Sequence, residues 1–273
     1  DVVESDHDIP VTPGPIRVEF HRDKLALPGI VSMRQTDGSY EWVTPGETSP
    51  AVQLTDAQGQ VFTAVKADSL VVEEAGSERA CIRIECAHHA GTHNTCFKSV
   101  FRIHLYRNSS CIRVCHTFEN DINEPFTSIR NLSLRADFDL GNQLVGQIEG
   151  QDVDLSKSPL LKQTHDNAFE LKQGRKTLSK GKQALGKALL SGESATINFA
   201  IRDFWQNYPK GLRVDQNGFT IDLCPTLAKD QFPKGGELED RLYYYVLNGQ
   251  YKFRQGISRT HEFYFDIQPG KDD

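Results

Sequence analysis

Between residues 198 and 210 the chain reads Asn-Phe-Ala-Ile-Arg-Asp-Phe-Trp-Gln-Asn-Tyr-Pro-Lys, and these side chains can do more chemistry than any others nearby. Arg202, Trp205, Gln206, Asn207, Tyr208 and Lys210 crowd into nine residues. A Trp face stacks on a pyranose ring, Gln and Asn bond its hydroxyls, and Arg or Lys pairs with a carboxylate. Together they suit an acidic sugar. They equally suit a strand end whose aromatics fill a core with their polar tips hydrogen-bonded, and residue chemistry leaves both readings open. A second string, Ser258-Arg-Thr-His-Glu-Phe-Tyr-Phe265, repeats the mixture with Arg259 and His261. A third cluster holds His104 and Arg113.

These groups must be positioned by strands. Ile197, Phe199 and Ile201 alternate with polar or small residues, the period-two pattern of a half-buried strand, and Pro209 ends it. Residues 97–106 and 111–118 predict a hairpin around Arg107-Asn-Ser-Ser110, with Tyr106 opposite Cys111. One face then carries Phe101, Ile103, Leu105, Ile112, Val114 and His116; the other carries Arg102, His104, Tyr106 and Arg113. That second face binds acids and hydroxyls, or is an ordinary solvated sheet face. Asn217-Gly218 gives the strongest turn signal, joining strands over 212–214 and 219–223.

Elsewhere, strand patterns at 16–20, 29–33, 51–55, 61–65 and 70–73 are separated by Gly turns. They predict a small all-β unit over residues 1–70. The remaining segments predict a large antiparallel β-sandwich over 71–273, so the expected fold class is all-β. Residues 87–94, with His88, His89 and His93, read as a solvated loop rather than a metal site. Residues 152–183 are polar and Lys-rich, a long excursion with one short strand at 168–171. Residues 183–190 suit a helix weakened by glycines, 227–236 a loop, and 238–251 a strand or a helix.

The totals exclude several classes. The chain has 273 residues, a net charge of −6 and 38% hydrophobic residues. No basic stripe marks a nucleic-acid partner, and no apolar run approaches the ~18 residues that span a bilayer. There is no P-loop, GxGxxG, GxSxG or HExxH. Six cysteines without a CxxC give no zinc pattern, and most lie in strand-like runs where a thiol acts as a small hydrophobe. A start at Asp1 with no signal peptide reads as a processed or excised piece.

The string Ile201-Arg-Asp-Phe-Trp-Gln-Asn-Tyr-Pro-Lys-Gly211, with the hairpin ending Ile221-Asp-Leu-Cys-Pro225, resembles the central domain of the exo-acting rhamnogalacturonan lyases and their YetA-like bacterial relatives. Phe253-Arg-Gln-Gly-Ile-Ser-Arg-Thr-His-Glu262 resembles the end of that domain. Arg102-Ile-His-Leu-Tyr106 with Ile112-Arg-Val-Cys-His-Thr-Phe118 resembles its middle. The resemblance implies an N-terminal β-barrel and a central β-sandwich, with the C-terminal α/α toroid of such proteins lying beyond this chain. It implies a polysaccharide lyase, a carbon–oxygen lyase acting on uronate-containing pectic polysaccharide, in an extracellular or periplasmic setting. It calls for no cofactor; such enzymes sometimes use calcium, for which the sequence shows no dedicated site.

β-Elimination beside a uronate needs the carboxylate neutralised, a base for the C5 proton and an acid for the leaving oxygen. Arg202, Arg259 or Lys210 serve the first role. Tyr208 or His261 exchange protons, Tyr208 with its pKa depressed by cations. Trp205 holds a ring, Gln206 bonds hydroxyls, and His104 with Arg113 forms a second binding cluster. Two other classes compete: a non-catalytic carbohydrate-binding sandwich, and a purely structural domain of a larger enzyme.

Overall fold

Alternation of apolar and polar residues becomes strand along almost the whole chain. The computed structural model describes residues 2, 5, 7–92, 94–229, 231–232 and 245–270, and among them it holds twenty-three strands and one 3-10 turn. β1 (Asp8–Val11), β2 (Ile16–His21), β3 (Ile30–Arg34) and β4 (Tyr40–Trp42) form a four-stranded antiparallel sheet in chain order. In β2 the alternation is strict: Ile16, Val18 and Phe20 are buried, and the residues between them are half-buried.

The next strands are β5 (Val52–Asp56), β6 (Val61–Ala64), β7 (Ser69–Ala75), β8 (Arg79–Ala90), β9 (Asn94–Tyr106), β10 (Cys111–Glu119) and β11 (Phe126–Asp137). The β9–β10 hairpin takes the expected register, with Leu105 opposite Ile112 and His104 opposite Arg113. Phe101, Ile103, Leu105, Ile112 and Val114 are all buried, and Arg102, His104 and Arg113 share the other face. The loop expected over 87–94 is instead mostly strand. β8 continues to Ala90 and β9 starts at Asn94. His88 points inward and is fully buried, which is tolerated because its Nε2 lies 2.8 Å from Ser99 Oγ. His93 lies outside the described residues.

β12 (Val145–Ile148) is followed by β13 (Gln151–Val153), the 3-10 turn Leu155–Lys157, β14 (Leu160–His165), β15 (Ala168–Gln173) and β16 (Lys176–Gly181), which form hairpins where a polar excursion was expected; the short strand expected there at 168–171 is β15. Polarity hid β13, β14 and β16. β15 and β16 lie at a sheet edge, where Glu170 pairs with both Lys172 and Lys180 and Leu171 is the one fully buried side chain. β17 (Lys187–Ser191) stands where a helix was expected. Cross-strand pairing on both sides and inward Ala188 and Leu190 overrule local helix propensity. β18 (Ala195–Ile201), β19 (Lys210–Asp215), β20 (Gly218–Cys224), β21 (Tyr245–Leu247), β22 (Gln250–Arg254) and β23 (Ser258–Pro269) complete the set. The β19–β20 hairpin turns where Asn217-Gly218 predicts it. Of the segments expected at 227–236 and 238–251, residues 230 and 233–244 lie outside the described residues.

Two large antiparallel sheets make the sandwich. One runs β7-β8-β9-β10-β23-β18-β17-β12-β13. The other runs β6-β5-β11-β20-β19-β14-β15-β16, with β22 and β21 continuing along β11 beside β20. Aromatic rings join them across the core: Phe199 of β18 lies 5.1 Å from Phe219 of β20, and Phe118 of β10 lies 5.4 Å from Phe253 of β22. The buried face of the four-stranded sheet belongs to the same apolar cluster. All six thiols are free. Burial pushes Cys86, Cys96 and Cys224 up to about 12, the behaviour of inert core groups.

Candidate functional site

β18 ends at Ile201 in one sheet and β19 begins at Lys210 in the other, so residues 202–209 cross between the sheets at one end of the sandwich. The crossing is tightly held. Ile201 N donates to Gly186 O (3.0 Å), Arg202 N to Glu262 O (2.9 Å) and Asn207 N to Asp203 O (3.0 Å). Phe204 is buried over Gly186, where a Cβ would come within 2.6 Å of the Phe204 side chain. The peptide before Pro209 is cis.

β23 begins at the same end, and Arg259 Nη2 donates to Asn207 Oδ1. The Arg-Asp-Phe-Trp-Gln-Asn-Tyr-Pro string and the Arg-Thr-His string therefore meet. Alternation along β23 then sorts the expected site residues onto opposite faces. Arg259 and His261 point toward the interior, as do Phe263 and Phe265; Glu262 and Tyr264 point outward.

On the outer face, Arg113 Nε donates to Glu262 Oε1 (2.8 Å), Arg202 Nη1 reaches Glu262 Oε2 (3.3 Å), and the Tyr264 hydroxyl donates to Oε1. Arg202 also lies 3.7 Å from Asp203. Burial pushes the Glu262 carboxyl up, but Arg113, Tyr264 and Arg202 outweigh it and hold it down at about 2. Arg102 is likewise claimed by Glu73 at 2.7 and 3.0 Å. His104 sits beside Arg113 in the ladder, its pKa lowered by burial and then by the Arg113 charge. The cations of this face are neutralised by carboxylates of the same face.

The sandwich end is different. Trp205 and Asn207 are half-buried and Gln206 is exposed. Tyr208 retains 8% exposure and lies just beneath. Lys210 is fully buried, and its Nζ donates to the Leu223 carbonyl. Desolvation brings that amine down to about 8, with Arg259 lowering it further and Cys224 opposing. His261 lies in an aromatic stack, its ring 5.9 Å from Phe118 and 6.4 Å from His116. Neither ring nitrogen of His261 has a hydrogen-bond partner among the described residues. Burial, then Lys210, His116 and Arg259, hold it well below its usual pKa, so the imidazole is neutral.

Behind it runs a polar track that sequence reading missed in part. Ser99 Oγ lies 2.8 Å from both His88 Nε2 and His116 Nε2. The signal was present: Ser99 sits between Phe97 and Phe101 in the inward phase of β9, a polar break in an apolar row. Among the described residues, no group of three or more His, Cys, Asp or Glu side chains is placed to hold a metal ion.

Several known folds and families are similar to this chain. A galactose mutarotase related enzyme from Lactobacillus acidophilus is 14% identical with a TM-score of 0.52, covering 97% of this chain and 99% of that one. A galactose 1-epimerase from Lactobacillus acidophilus NCFM is 12% identical with a TM-score of 0.51, covering 99% of each. A galactose mutarotase-like protein from Lactobacillus casei ATCC 334 is 11% identical with a TM-score of 0.50, covering 96% of this chain and 100% of that one. At such identities the likeness shows the fold. No curated protein matches the chain. One family model matches residues 2–146, ending before the Arg202 string; this is more than half of the 273 residues, and the chain belongs to the family of PcRGLX-like protein central β-sandwich domains.

Proposed function

We propose that this chain is the sandwich portion of a lyase-type protein, related to the exo-acting rhamnogalacturonan lyases and their YetA-like relatives, that acts on uronate-containing pectic polysaccharide by β-elimination. The uronate seat is the sandwich end where the crossing 202–209 meets the start of β23. The observation that carries this reading is the contact of Arg259 Nη2 with Asn207 Oδ1, which ties a guanidinium to the turn that carries Trp205. In this seat Arg259 neutralises the carboxylate, Trp205 supports the ring, and Asn207 and Gln206 bond hydroxyls. Tyr208, just beneath the surface, and the neutral His261 behind it are the proton-exchanging groups. Arg202, His104 and Arg113 flank the seat on the outer face, where Glu262 already holds both guanidiniums. Extracellular or periplasmic action, an acidic polysaccharide partner and a helical domain completing the cleft belong to the same proposal.

A second reading is favoured by one observation. Tyr208, Lys210 and His261 are all buried, so the chain as folded offers a binding surface before it offers an exposed acid–base pair. This reading makes it a non-catalytic carbohydrate-binding sandwich. Incubating the chain with rhamnogalacturonan oligosaccharides separates the two. Calorimetric binding with growth of the ultraviolet absorbance of an unsaturated uronate supports elimination; binding without that absorbance supports the binding module. Absence of binding contradicts both.

A further inference from the structure

A second polar cluster lies on the outer face of the other sheet. Here a groove of about 420 Å3 is lined by Gln53, Thr55, Asn131, Ser133, Thr220 and Thr226, together with Arg135 and Arg213. The registers explain the assembly: Gln53 of β5 faces Ser133 of β11, Ser133 faces Asp222 of β20, and Asp222 faces Gly211 of β19. Gly211 is required there, since a Cβ would stand 2.9 Å from Asp222 Oδ2 and 3.1 Å from Asp222 Cβ. The β11–β20 register slips beside Asp222, so Leu223 is passed over between the pairs Leu132–Cys224 and Ser133–Asp222. The Leu223 carbonyl is the one that takes the Lys210 amine.

The charges of the groove cancel internally, three carboxylates against Arg135, Arg213 and Lys162, whose Nζ donates to the Thr226 carbonyl at 2.7 Å and interacts with Asp222. Arg135 makes a bidentate contact with Asp215 at 2.7 and 2.8 Å and reaches Asp137 through Nε at 2.5 Å. Arg213 Nη2 lies 2.6 Å from Asp222 Oδ2. That contact is close but poorly aligned, so Oδ2 keeps an unused acceptor although Asp222 is only 1% exposed. What remains for a ligand is a row of hydroxyls and amides over a buried carboxylate, with no surplus charge. This is the chemistry that recognises an uncharged polyol ring and gives an anion no advantage.

We propose that this groove is a second saccharide site that takes an uncharged pyranose, with Gln53 and Ser133 bonding its hydroxyls above Asp222. The site stands on the groove alone and does not depend on the uronate seat. The test is saturation-transfer NMR on the full chain, with D-galactose, L-rhamnose and D-galacturonate as probes. Wild type should bind a neutral pyranose in the millimolar range, and Gln53→Ala and Ser133→Ala should each weaken it about two- to tenfold, the loss of one neutral hydrogen bond. Trp205→Ala and Arg259→Gln should leave neutral-sugar binding unchanged while weakening galacturonate, so failure of this site and failure of the uronate seat read out separately. Thr55→Val provides a further lining variant should either alanine variant melt early. The proposal is overturned if wild type binds no neutral pyranose, if folded lining variants bind as wild type does, or if Trp205→Ala removes the neutral sugar.

Discussion

Arg202, Arg113 and Arg259 look alike in sequence and differ in what claims them. Arg202 and Arg113 share Glu262, whereas Arg259 reaches Asn207 in the crossing. Arg202 is 60% exposed, so its pair with Glu262 is weak, and Arg202→Ala should change stability by about 0–1 kcal/mol. Arg113 is more enclosed and makes the better hydrogen bond, so Arg113→Ala should cost about 1–2 kcal/mol in denaturant unfolding. Equal losses for the two variants would contradict this ranking. The buried imidazoles set the pH response. His88 is brought down to about 4 by burial, and burial likewise holds His116 and His261 well below the usual value. Their unfolded-state pKa is about 6.5, so as pH falls below that value the unfolded chain takes up protons that the folded chain refuses. The histidine contribution is therefore fully present above about pH 6.5 and is lost as pH drops toward 4, by up to about 1.4 kcal/mol per pH unit for each histidine. Glu262 adds its own loss only at lower pH, between the ordinary carboxylate range and about 2. Denaturant unfolding at pH 7, 6 and 5 measures the histidine term; a flat profile would show that these imidazoles titrate normally.

At the scale of elements, the strands with strict alternation were legible and those under tertiary control were not. The β9–β10 hairpin could be read to the residue because an apolar face fixes register: a one-residue slip would expose Ile103 and Val114. β17 was not legible, since its five residues pair on both sides only after distant strands arrive. β15 was legible in part, at 168–171, but β14 and β16 were hidden by polarity: β16 is the edge strand and buries no side chain, and β14 buries only Leu161 and Gln163. The same logic applies to the candidate site. The chemistry of Trp205, Asn207, Arg259 and His261 was visible as residue types. That Glu262 would take Arg113 and Arg202 depended on β23 lying between β10 and β18, a long-range fact. Local backbone demands remain strong where the turn is tight. Gly218 has φ +136, and a Cβ there would meet the Ala136 carbonyl at 2.1 Å. Gly218→Ala should destabilise the chain by more than about 1 kcal/mol. A wild-type midpoint in denaturant would contradict that placement.

At the scale of the whole molecule, both sheets pair cations of their outer faces with carboxylates of the same face. The outer face of one sheet is charge-balanced, as is the groove on the other, and the join between the sheets carries the turn with Trp205, Gln206 and Asn207. A polysaccharide strand laid across that join would meet an aromatic plate and the Arg259 guanidinium together, which is why the join is the proposed uronate seat. The chain has two tryptophans, and Trp42 is 49% exposed at the edge strand β4, so Trp42→Phe leaves Trp205 as the sole reporter with little cost to the fold. Titrating this single-tryptophan protein with a rhamnogalacturonan oligosaccharide while following Trp205 fluorescence tests the seat most directly. A saturable change in emission is expected, and adding Arg259→Gln should weaken it about tenfold or more in protein that remains folded at the assay temperature, the loss of one charge-assisted hydrogen bond of roughly 1.5–3 kcal/mol. Oligosaccharide binding seen by calorimetry with no change in Trp205 emission, or with the same affinity in the Arg259→Gln protein, would contradict it.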